Sequence, residues 1–266
     1  MPYETIIVER DGPLAILRLN RPEKRNAVNR QMSLELAQAL DELAAEEGVL
    51  ALVLTGSGDR AFCAGADMGE AVAEQERGAY RSPDEAGNPY GKLLHFPKPA
   101  IAAVNGYAFG GGAVLAINCD IRVAAEVASF RFVGATYGLV VGASQLPRVV
   151  GAAKAKELIF TARVVSAQEA LSIGLVNQVV PPSELMETVL GMARAIAANS
   201  PAAVRLSKEV IEAATFVPGA AERERQANRV LRAGAEHRQR FRQAAARVTG
   251  SETPSEGTAL PGAPKA

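Results

Sequence analysis

The stretch NGYAFGGGAVLAINCD, residues 105–120, decides the fold more than any other part of the chain. Three consecutive glycines, Gly110 to Gly112, lie directly before the small apolar residues 113–117. This order predicts a strand, a glycine turn and a helix that enters the core. Unpaired N–H groups and the helix dipole at such a helix start favour negative charge. Close helix packing or a simple turn is the alternative use of the glycines.

A second glycine turn lies upstream, in FCAGAD, residues 62–67, and it also follows an apolar run that reads as a buried strand. Two backbone amides that converge on one oxygen form an oxyanion hole. The pair of turns is therefore more specific than either turn alone, and it predicts a site where negative charge on an oxygen is stabilised.

Hydrophobic periodicity predicts alternating strands and helices early in the chain and helices late in the chain. The predicted strands are residues 5–8, 14–19, 50–55, 100–104 and 119–124. The predicted helices are residues 32–43, 154–161, 167–172, 184–198, 202–213 and 220–248. Residues 77–91 are rich in glycine and proline, which predicts a mobile connection.

Three regions follow from these patterns. Residues 1–198 are predicted to form the α/β core, and residues 199–248 a helical C-terminal region. Residues 249–266 combine proline and glycine with almost no large apolar side chains. Such a segment cannot offset its ordering entropy, so we expect a disordered tail.

Composition excludes several classes of protein. Lys and Arg together number 29, equal to Asp and Glu, so the net charge is zero and nothing favours a nucleic-acid partner. Only two cysteines are present and no cluster has metal-ligand spacing, so we expect no disulfide scaffold and no metal. The N-terminal residues lack the order of a signal peptide, and no apolar run reaches membrane-spanning length. The expectation is a cytoplasmic protein with no membrane partner.

Five motifs occur in a recognisable order between residues 3 and 247. They are RPEKRNAV (21–28), FCAGADM (62–68), KPAIAAVNGYAFGGG (98–112), CDIRVAAE (119–126) and AQEALSIGLVNQVV (167–180). In these motifs the sequence resembles the enoyl-CoA hydratase/isomerase (crotonase) superfamily. The resemblance implies an α/β fold, a spiral of ββα units with a helical C-terminal trimerisation region, assembled as a homotrimer or a dimer of trimers.

The same resemblance implies an acyl-CoA thioester as the substrate, with coenzyme A bound as part of that substrate and no permanently bound cofactor. It places the thioester oxygen on the amides of Ala66 and Gly111 while an enolate forms. The residues that it implies for substrate binding are Arg25, Ala27, Ala64, Gly65 and Gly110.

The resemblance also places two hydratase glutamates where this chain has Val114 and Gly134. Because neither residue ionises, the sequence predicts isomerase or lyase chemistry rather than efficient hydration. A non-catalytic acyl-CoA-binding protein is the alternative. Replacing both residues with glutamate is expected to produce measurable crotonyl-CoA hydration.

Tyr137 is the sequence candidate for a substitute proton donor, because a phenol donates a hydrogen bond. Local packing of its ring is the alternative.

The C-terminal region is rich in arginine, and Arg225, Arg229 and Arg232 have the spacing of one helix face. The resemblance implies that this region reaches a neighbouring subunit and that such residues approach the coenzyme A phosphates. A solvated face is the alternative, with the arginines paired to Glu222, Glu224 and Glu236. His237, in the same stretch, is expected to be partly exposed.

Overall fold

The computed structural model describes residues 3–77 and 87–249. The strands in these residues are β1 (Ile6–Asp11), β2 (Leu14–Leu19), β3 (Ala51–Gly56), β4 (Ala61–Cys63), β5 (Ala100–Val104), β6 (Tyr107–Phe109), β7 (Ile121–Ala125), β8 (Ser129–Arg131), β9 (Val165–Ser166) and β10 (Gln178–Val180). The helices are α1 (Arg30–Ala45), α2 (Met68–Glu76), α3 (Pro89–Leu94), α4 (Gly111–Asn118), α5 (Leu146–Thr161), α6 (Ala167–Ser172), α7 (Leu185–Ala197), α8 (Pro201–Thr215), α9 (Ala220–Ala233) and α10 (Ala235–Thr249). Short 3-10 turns occur at Pro22–Lys24, Gly134–Tyr137 and Pro182–Glu184.

The strands form two sheets. The larger sheet has the order β1-β2-β3-β5-β7-β10, with β1 antiparallel to β2 and the remaining pairs parallel. The smaller sheet has the order β4-β6-β8-β9. Parallel neighbours require crossover connections, which the helices between the strands supply.

A repeated unit explains this topology. In the segments β3-β4-α2 and β5-β6-α4, the first strand joins the larger sheet, the second joins the smaller sheet, and a helix follows. The pair β7-β8 continues the series and is followed by the 3-10 turn at Gly134–Tyr137. The chain therefore winds as a spiral in which each glycine turn connects a short strand to a helix.

The larger sheet is buried on both faces. Helix α1 covers one face with residues such as Leu36 and Leu40, while α7 covers the other with Leu185 and Val189. Helix α4 lies inside the core, and six of its eight residues are buried. The glycine turn at the start of α4 is therefore attached to a rigid core.

Several sequence predictions match the structure closely. The strands at residues 14–19 and 100–104 and the helix at residues 167–172 have the predicted bounds. The single helix predicted over residues 220–248 is wrong, because Gly234 adopts an extended conformation and separates α9 from α10. Helix α5 begins eight residues before the predicted start, and Gly151 kinks it with a φ of 76°.

The connection predicted at residues 77–91 is wrong at its C-terminal end, where Pro89 starts α3 and Asn88 caps it by accepting a hydrogen bond from the Gly91 amide. The rest of that connection, residues 78–86, lies outside the described residues. The tail predicted from residue 249 lies outside them as well, apart from Thr249, which ends α10.

Within residues 3–77 and 87–249, no helix combines the length and the apolar character needed to span a bilayer. No group of metal-ligating side chains occurs in that same part of the chain. Cys63 and Cys119 are free buried thiols, and burial raises the pKa of both to about 12. Neither thiol is therefore poised as a nucleophile.

Candidate active site

The turn at residues 25–28 is joined to the turn at residues 64–67 at the edge of the core. The Ala64 amide donates to the Arg25 carbonyl at 3.0 Å, the Val28 amide donates to the Gly65 carbonyl at 2.7 Å, and the Asp67 amide donates to the Val28 carbonyl at 2.9 Å. Val28 and Ala66 thus form a parallel bridge. In that bridge, Gly65 and Asp67 make the hydrogen bonds to Val28. The N–H of the exposed Ala66 between them is therefore directed away from Val28.

The second amide lies at the start of α4. The Gly110 amide donates to the Arg131 carbonyl at 2.8 Å, and Gly111 is the first residue of the helix. Neither the Gly111 amide nor the Ala66 amide has a hydrogen-bond partner in the described part of the chain. Helix α4 also lies directly against β4, because a methyl group on Gly112 would overlap the Cys63 carbonyl.

Gly65 brings the turn at residues 64–67 against the glycine turn at residues 110–112. Its φ is +92°, and a methyl group built on it would lie 2.8 Å from the Phe109 carbonyl oxygen and 3.2 Å from the Gly111 nitrogen. Only glycine combines this conformation with so close an approach. The Ala66 and Gly111 amides are therefore neighbours at the N-terminus of α4, where the helix dipole adds positive potential for an oxyanion.

Arg25 and Ala27, two of the residues implied for substrate binding, lie on the turn at residues 25–28. Arg25 and Asn26 both adopt left-handed backbone conformations, with φ of 52° and 55°. The buried Asn26 side chain fixes this turn by donating to the carbonyls of Ser57 at 3.0 Å and Ala61 at 2.8 Å. The Arg25 side chain is exposed, whereas Ala27 is buried, with its amide donating to the Lys24 carbonyl at 3.1 Å and its carbonyl accepting from Arg21.

Asp67 caps the turn at residues 64–67 with its carboxylate. Its Oδ1 accepts from the Glu70 amide at 3.3 Å, and its Oδ2 accepts from Arg21 Nη2 at 2.8 Å. Arg21 also donates from Nη1 to the Ala27 carbonyl at 2.6 Å. Through Arg21, Ala27 and Asp67, the turn at residues 25–28 is connected to the turn at residues 64–67 a second time. This connection limits how far the Ala66 amide moves.

Tyr137 lies in the 3-10 turn after β8, and its ring contacts Phe241 of α10 edge-on at a centroid distance of 6.2 Å. Burial raises the pKa of its phenol, opposed by the charge on Arg131, so the group stays protonated near neutral pH. This geometry agrees with the packing alternative. The proposed role of Tyr137 as a proton donor stays a prediction.

Tyr90 is a site residue that sequence reasoning missed. It lies on α3, and a methyl group on Gly111 would overlap its hydroxyl. The side chain of Asn118 holds the backbone in place by donating to the Tyr90 carbonyl at 3.0 Å. The pair Asn88-Pro89 is a cap signal that marks the start of α3 inside the predicted connection, but no local pattern reveals that the second residue of this helix faces the glycine turn.

Val114 and Gly134 are surrounded differently. Val114 is half-buried, one helical turn beyond Gly111. Gly134 is buried, and a methyl group built on it would lie 2.8 Å from the Leu139 carbonyl oxygen and 2.8 Å from Val141 Cβ. A glutamate at residue 134 therefore has no room. The expectation that carboxylates at both positions produce hydration is corrected on this ground.

The C-terminal helices also require corrections. Arg225 pairs with Glu222 at 2.7 Å and Arg240 with Glu236 at 2.8 Å, as a solvated face would predict. Glu224 does not join that face, because its carboxylate accepts the Gly142 and Ser144 amides. His237 is buried, with 5% of its surface exposed, and its Nδ1 lies 2.7 Å from the Tyr137 carbonyl. The expectation of partial exposure for His237 is wrong because α10 packs on the turn at Gly138.

Comparisons with known proteins agree with this architecture. The sequence profile described as enoyl-CoA hydratase/isomerase matches residues 9–247. A short-chain-enoyl-CoA hydratase from Clostridium acetobutylicum is 42% identical over 215 residues, which are 79% of this chain and 82% of the relative.

Solved structures give the same result. An enoyl-CoA hydratase from Bacillus anthracis is 35% identical with a TM-score of 0.74, and the match covers 95% of this chain and 98% of that one. A monofunctional enoyl-CoA isomerase from M. smegmatis is 33% identical with a TM-score of 0.68, covering 80% of this chain and 95% of that one. The α/β spiral that the motifs predict is thus the fold of this chain, with a helical C-terminal region. The chain belongs to the enoyl-CoA hydratase/isomerase family.

Proposed function

We propose that this protein binds an acyl-CoA thioester and stabilises the enolate of that thioester on the amides of Ala66 and Gly111. The observation that carries the proposal is that both amides lie side by side at the start of α4 without a partner in the described residues. Backbone donors that are fixed before the reaction stabilise charge without reorganisation.

The charge distribution around the site supports binding of the coenzyme A part. The exposed Arg25 side chain lies on the turn that is joined to residues 64–67, and Lys24 beside it is exposed too. Guanidinium and ammonium groups bind phosphate oxygens. Coenzyme A is thus expected as part of the substrate, and the chemistry needs no resident cofactor or metal.

For the reaction, we favour isomerisation or a lyase reaction over efficient hydration. Hydration requires one group to activate water and another to deliver a proton, whereas isomerisation moves one proton through an enolate. The apolar Val114 and the enclosed Gly134 leave two of the implied acid/base positions without a carboxylate. The M. smegmatis isomerase among the similar structures is consistent with this choice.

Two phenols are candidates for the donor that delivers a proton to the enolate, a role that a neutral hydroxyl can fill. The hydroxyl of Tyr90 lies against Gly111, where the thioester oxygen would be bound. Tyr137 is the candidate from the sequence, and it lies farther along the chain in a turn that packs on α10. We favour Tyr90 on this geometry.

Hydration is a second candidate, because the Clostridium and Bacillus relatives are both called hydratases. It would need an acid/base group other than residues 114 and 134. Acyl-CoA binding without chemistry is the third, since a pocket can keep its amides after proton transfer is lost.

We also propose that the chain acts as a homotrimer or a dimer of trimers in the cytoplasm. The support is a set of large apolar side chains that α8 leaves exposed: Leu206, Val210 and Ile211 are each more than half exposed. Such a patch is typical of an interface between subunits.

The test is mass spectrometry of saturated and unsaturated acyl-CoA thioesters incubated with the protein in D₂O, against a protein-free control. Enolate chemistry predicts deuterium at the α-carbon, with a shifted double bond for isomerisation or added water for hydration. If the thioesters bind but exchange no deuterium, the non-catalytic alternative is correct. If none binds, the proposal is wrong.

A further inference from the structure

The segment at residues 139–144, between the Gly134–Tyr137 turn and α5, has a backbone that is bound by side chains. The Val140 amide donates to Asn228 Oδ1 at 2.8 Å, and the Val140 carbonyl accepts from Asn228 Nδ2 at 2.6 Å. The Gly142 amide donates to Glu224 Oε1 at 2.8 Å, and the Ser144 amide donates to Glu224 Oε2 at 2.7 Å. Every second residue of the segment is therefore held by α9.

The spacing explains how one helix achieves this. Glu224 and Asn228 are four residues apart, so their side chains lie on the same face of α9. Gly142 has a φ of 75° and residues 143–145 form a turn, which places the Gly142 and Ser144 amides around the same carboxylate. Asn228 binds as a paired amide, while the Glu224 carboxylate makes two charge-assisted bonds, which are stronger than neutral ones.

The opposite side of the 139–144 segment faces Val114 and Gly134. Val141 and the Leu139 carbonyl fill the space beside Gly134, as the 2.8 Å distances from a methyl group there indicate. A methyl group on Gly142 would lie 3.6 Å from Val114 Cγ2 and 3.3 Å from the Phe132 ring. The segment is thus packed between α9 and the first turn of α4.

We propose that Glu224 and Asn228 are positioning residues that hold the 139–144 segment against Val114 and thereby limit the length of the acyl group that the site accepts. This inference rests on the proposed function, since it requires a thioester whose oxygen is bound at Gly111. The acyl chain then passes Val114, one helical turn away, and meets the apolar wall made by Val114, Phe132 and Val141.

The physical consequence of removing the clamp follows directly. Without Glu224, the Gly142 and Ser144 amides lose their acceptor and turn to water. The part of the segment beside Val114 is then no longer held by α9. Val141 then retreats from Gly134, and the wall opens. Longer acyl groups gain apolar contact in the opened space, while short ones lose contact with a fixed wall.

The experiment measures dissociation constants by calorimetry for butyryl-, octanoyl- and dodecanoyl-CoA with wild type, Glu224→Ala, Asn228→Ala and the double variant. Glu222→Ala is the matched control, because Glu222 is on the same helix but pairs with Arg225. We expect the variants to shift preference toward longer chains by about fourfold for each additional methylene that is buried. Faster amide exchange in residues 140–144 should accompany the shift.

Glu224→Gln keeps one accepting oxygen, so it should give an intermediate shift, and it serves as the test if the alanine variants do not fold. An unchanged chain-length profile, even with lower thermal stability, would overturn the inference and leave Glu224 a structural residue. If wild type binds these thioesters and only the profile stays unchanged, the proposed function stands. If wild type binds none of them, the proposed function itself fails.

Discussion

Gly65 and Gly111 approach so closely that a methyl group on Gly65 would lie 3.2 Å from the Gly111 nitrogen. The two residues belong to turns that follow different strands of the smaller sheet, β4 and β6. Because those strands are neighbours, each winding of the spiral delivers one amide to the same point. The oxyanion site is thus a product of the repeat and not of either turn alone.

Removing the Gly111 amide should abolish enolate chemistry. Gly111 is the first helical position, where proline fits the helix geometry but has no N–H. Gly111→Pro is therefore expected to lower the rate of α-deuterium incorporation by about 10²- to 10³-fold. Gly111→Ala is the control, because it displaces the same Tyr90 hydroxyl and takes the loss that comes from that group but keeps the amide, so only the additional loss in Gly111→Pro is assigned to the amide. Equal losses in the two variants would show that steric change, not the donor, is responsible.

Replacing each phenol separately should identify the proton-transfer group. Tyr90→Phe is expected to slow α-proton exchange by about 10²-fold or more, the usual size of an acid/base contribution. Tyr137→Phe is expected to leave the exchange rate near that of wild type, because its ring packs on Phe241. Exchange rates by mass spectrometry decide between them. The reverse order of effects would make Tyr137 the donor.

Adding a side chain at Gly134 should destabilise the protein. Gly134→Ala places a methyl group 2.8 Å from Val141 Cβ and from the Leu139 carbonyl oxygen, so we expect a loss of about 1–3 kcal/mol in unfolding free energy. Gly191→Ala on α7, where a methyl group meets nothing within 4 Å, is the matched control. Urea unfolding provides both values. A Gly134→Ala variant as stable as the control would mean that the 139–144 segment yields easily.

The same packing predicts that Val114→Glu combined with Gly134→Glu produces no efficient crotonyl-CoA hydration. The second carboxylate cannot enter without displacing Val141 and Leu139. Folded, stable protein with rapid hydration would contradict this expectation, and a spectrophotometric assay with crotonyl-CoA measures it.

Glu35 should make stability depend on pH. Its carboxylate is buried and accepts from the amides of Glu4 and Thr5, each at 2.8 Å, and from the Thr5 hydroxyl at 2.5 Å. Burial alone would raise the pKa of Glu35, but hydrogen bonds from Gln31, Thr5 and Glu4 together outweigh it and lower the pKa. A lowered pKa in the folded state means that the stabilisation is present above the unfolded pKa, near 4.3, and is lost as the pH falls through the folded pKa.

Glu35→Gln is therefore expected to cost about 2 kcal/mol of unfolding free energy at pH 7 and progressively less as the pH falls below about 4. Glu23→Gln, at an exposed position, is the control. Chemical unfolding of wild type and both variants at pH 7 and below about pH 4 provides the comparison. A cost that does not change with pH would show that the charge on Glu35 contributes nothing.

The sequence predicts five of the six strands of the larger sheet, because each of them has five or six residues and a recognisable apolar pattern, but it does not predict the three-residue β10. It does not reveal the smaller sheet, since β4, β6 and β8 have three residues each and carry no usable periodicity. The glycine turns are visible in the sequence because a close approach of two backbones requires glycine.

The rest of the site depends on contacts between distant residues. Glu224 looks like one more charged residue on an arginine-rich helix, and only the folded chain shows that it binds the Gly142 and Ser144 amides. Tyr90 is likewise ordinary in sequence, and its position against Gly111 results from how α3 packs on α4. The lack of space at Gly134 is a property of Val141, seven residues away.

The amides of Ala66 and Gly111 are proposed to polarise a bound thioester. Isotope-edited infrared spectroscopy of butyryl-CoA labelled with ¹³C at the carbonyl measures this directly and requires no turnover. The carbonyl stretch is expected to move to lower frequency on binding, and Gly111→Pro is expected to remove most of this shift, whereas Gly111→Ala keeps it. A bound thioester whose carbonyl frequency equals its value in water would show that the two amides do not polarise it.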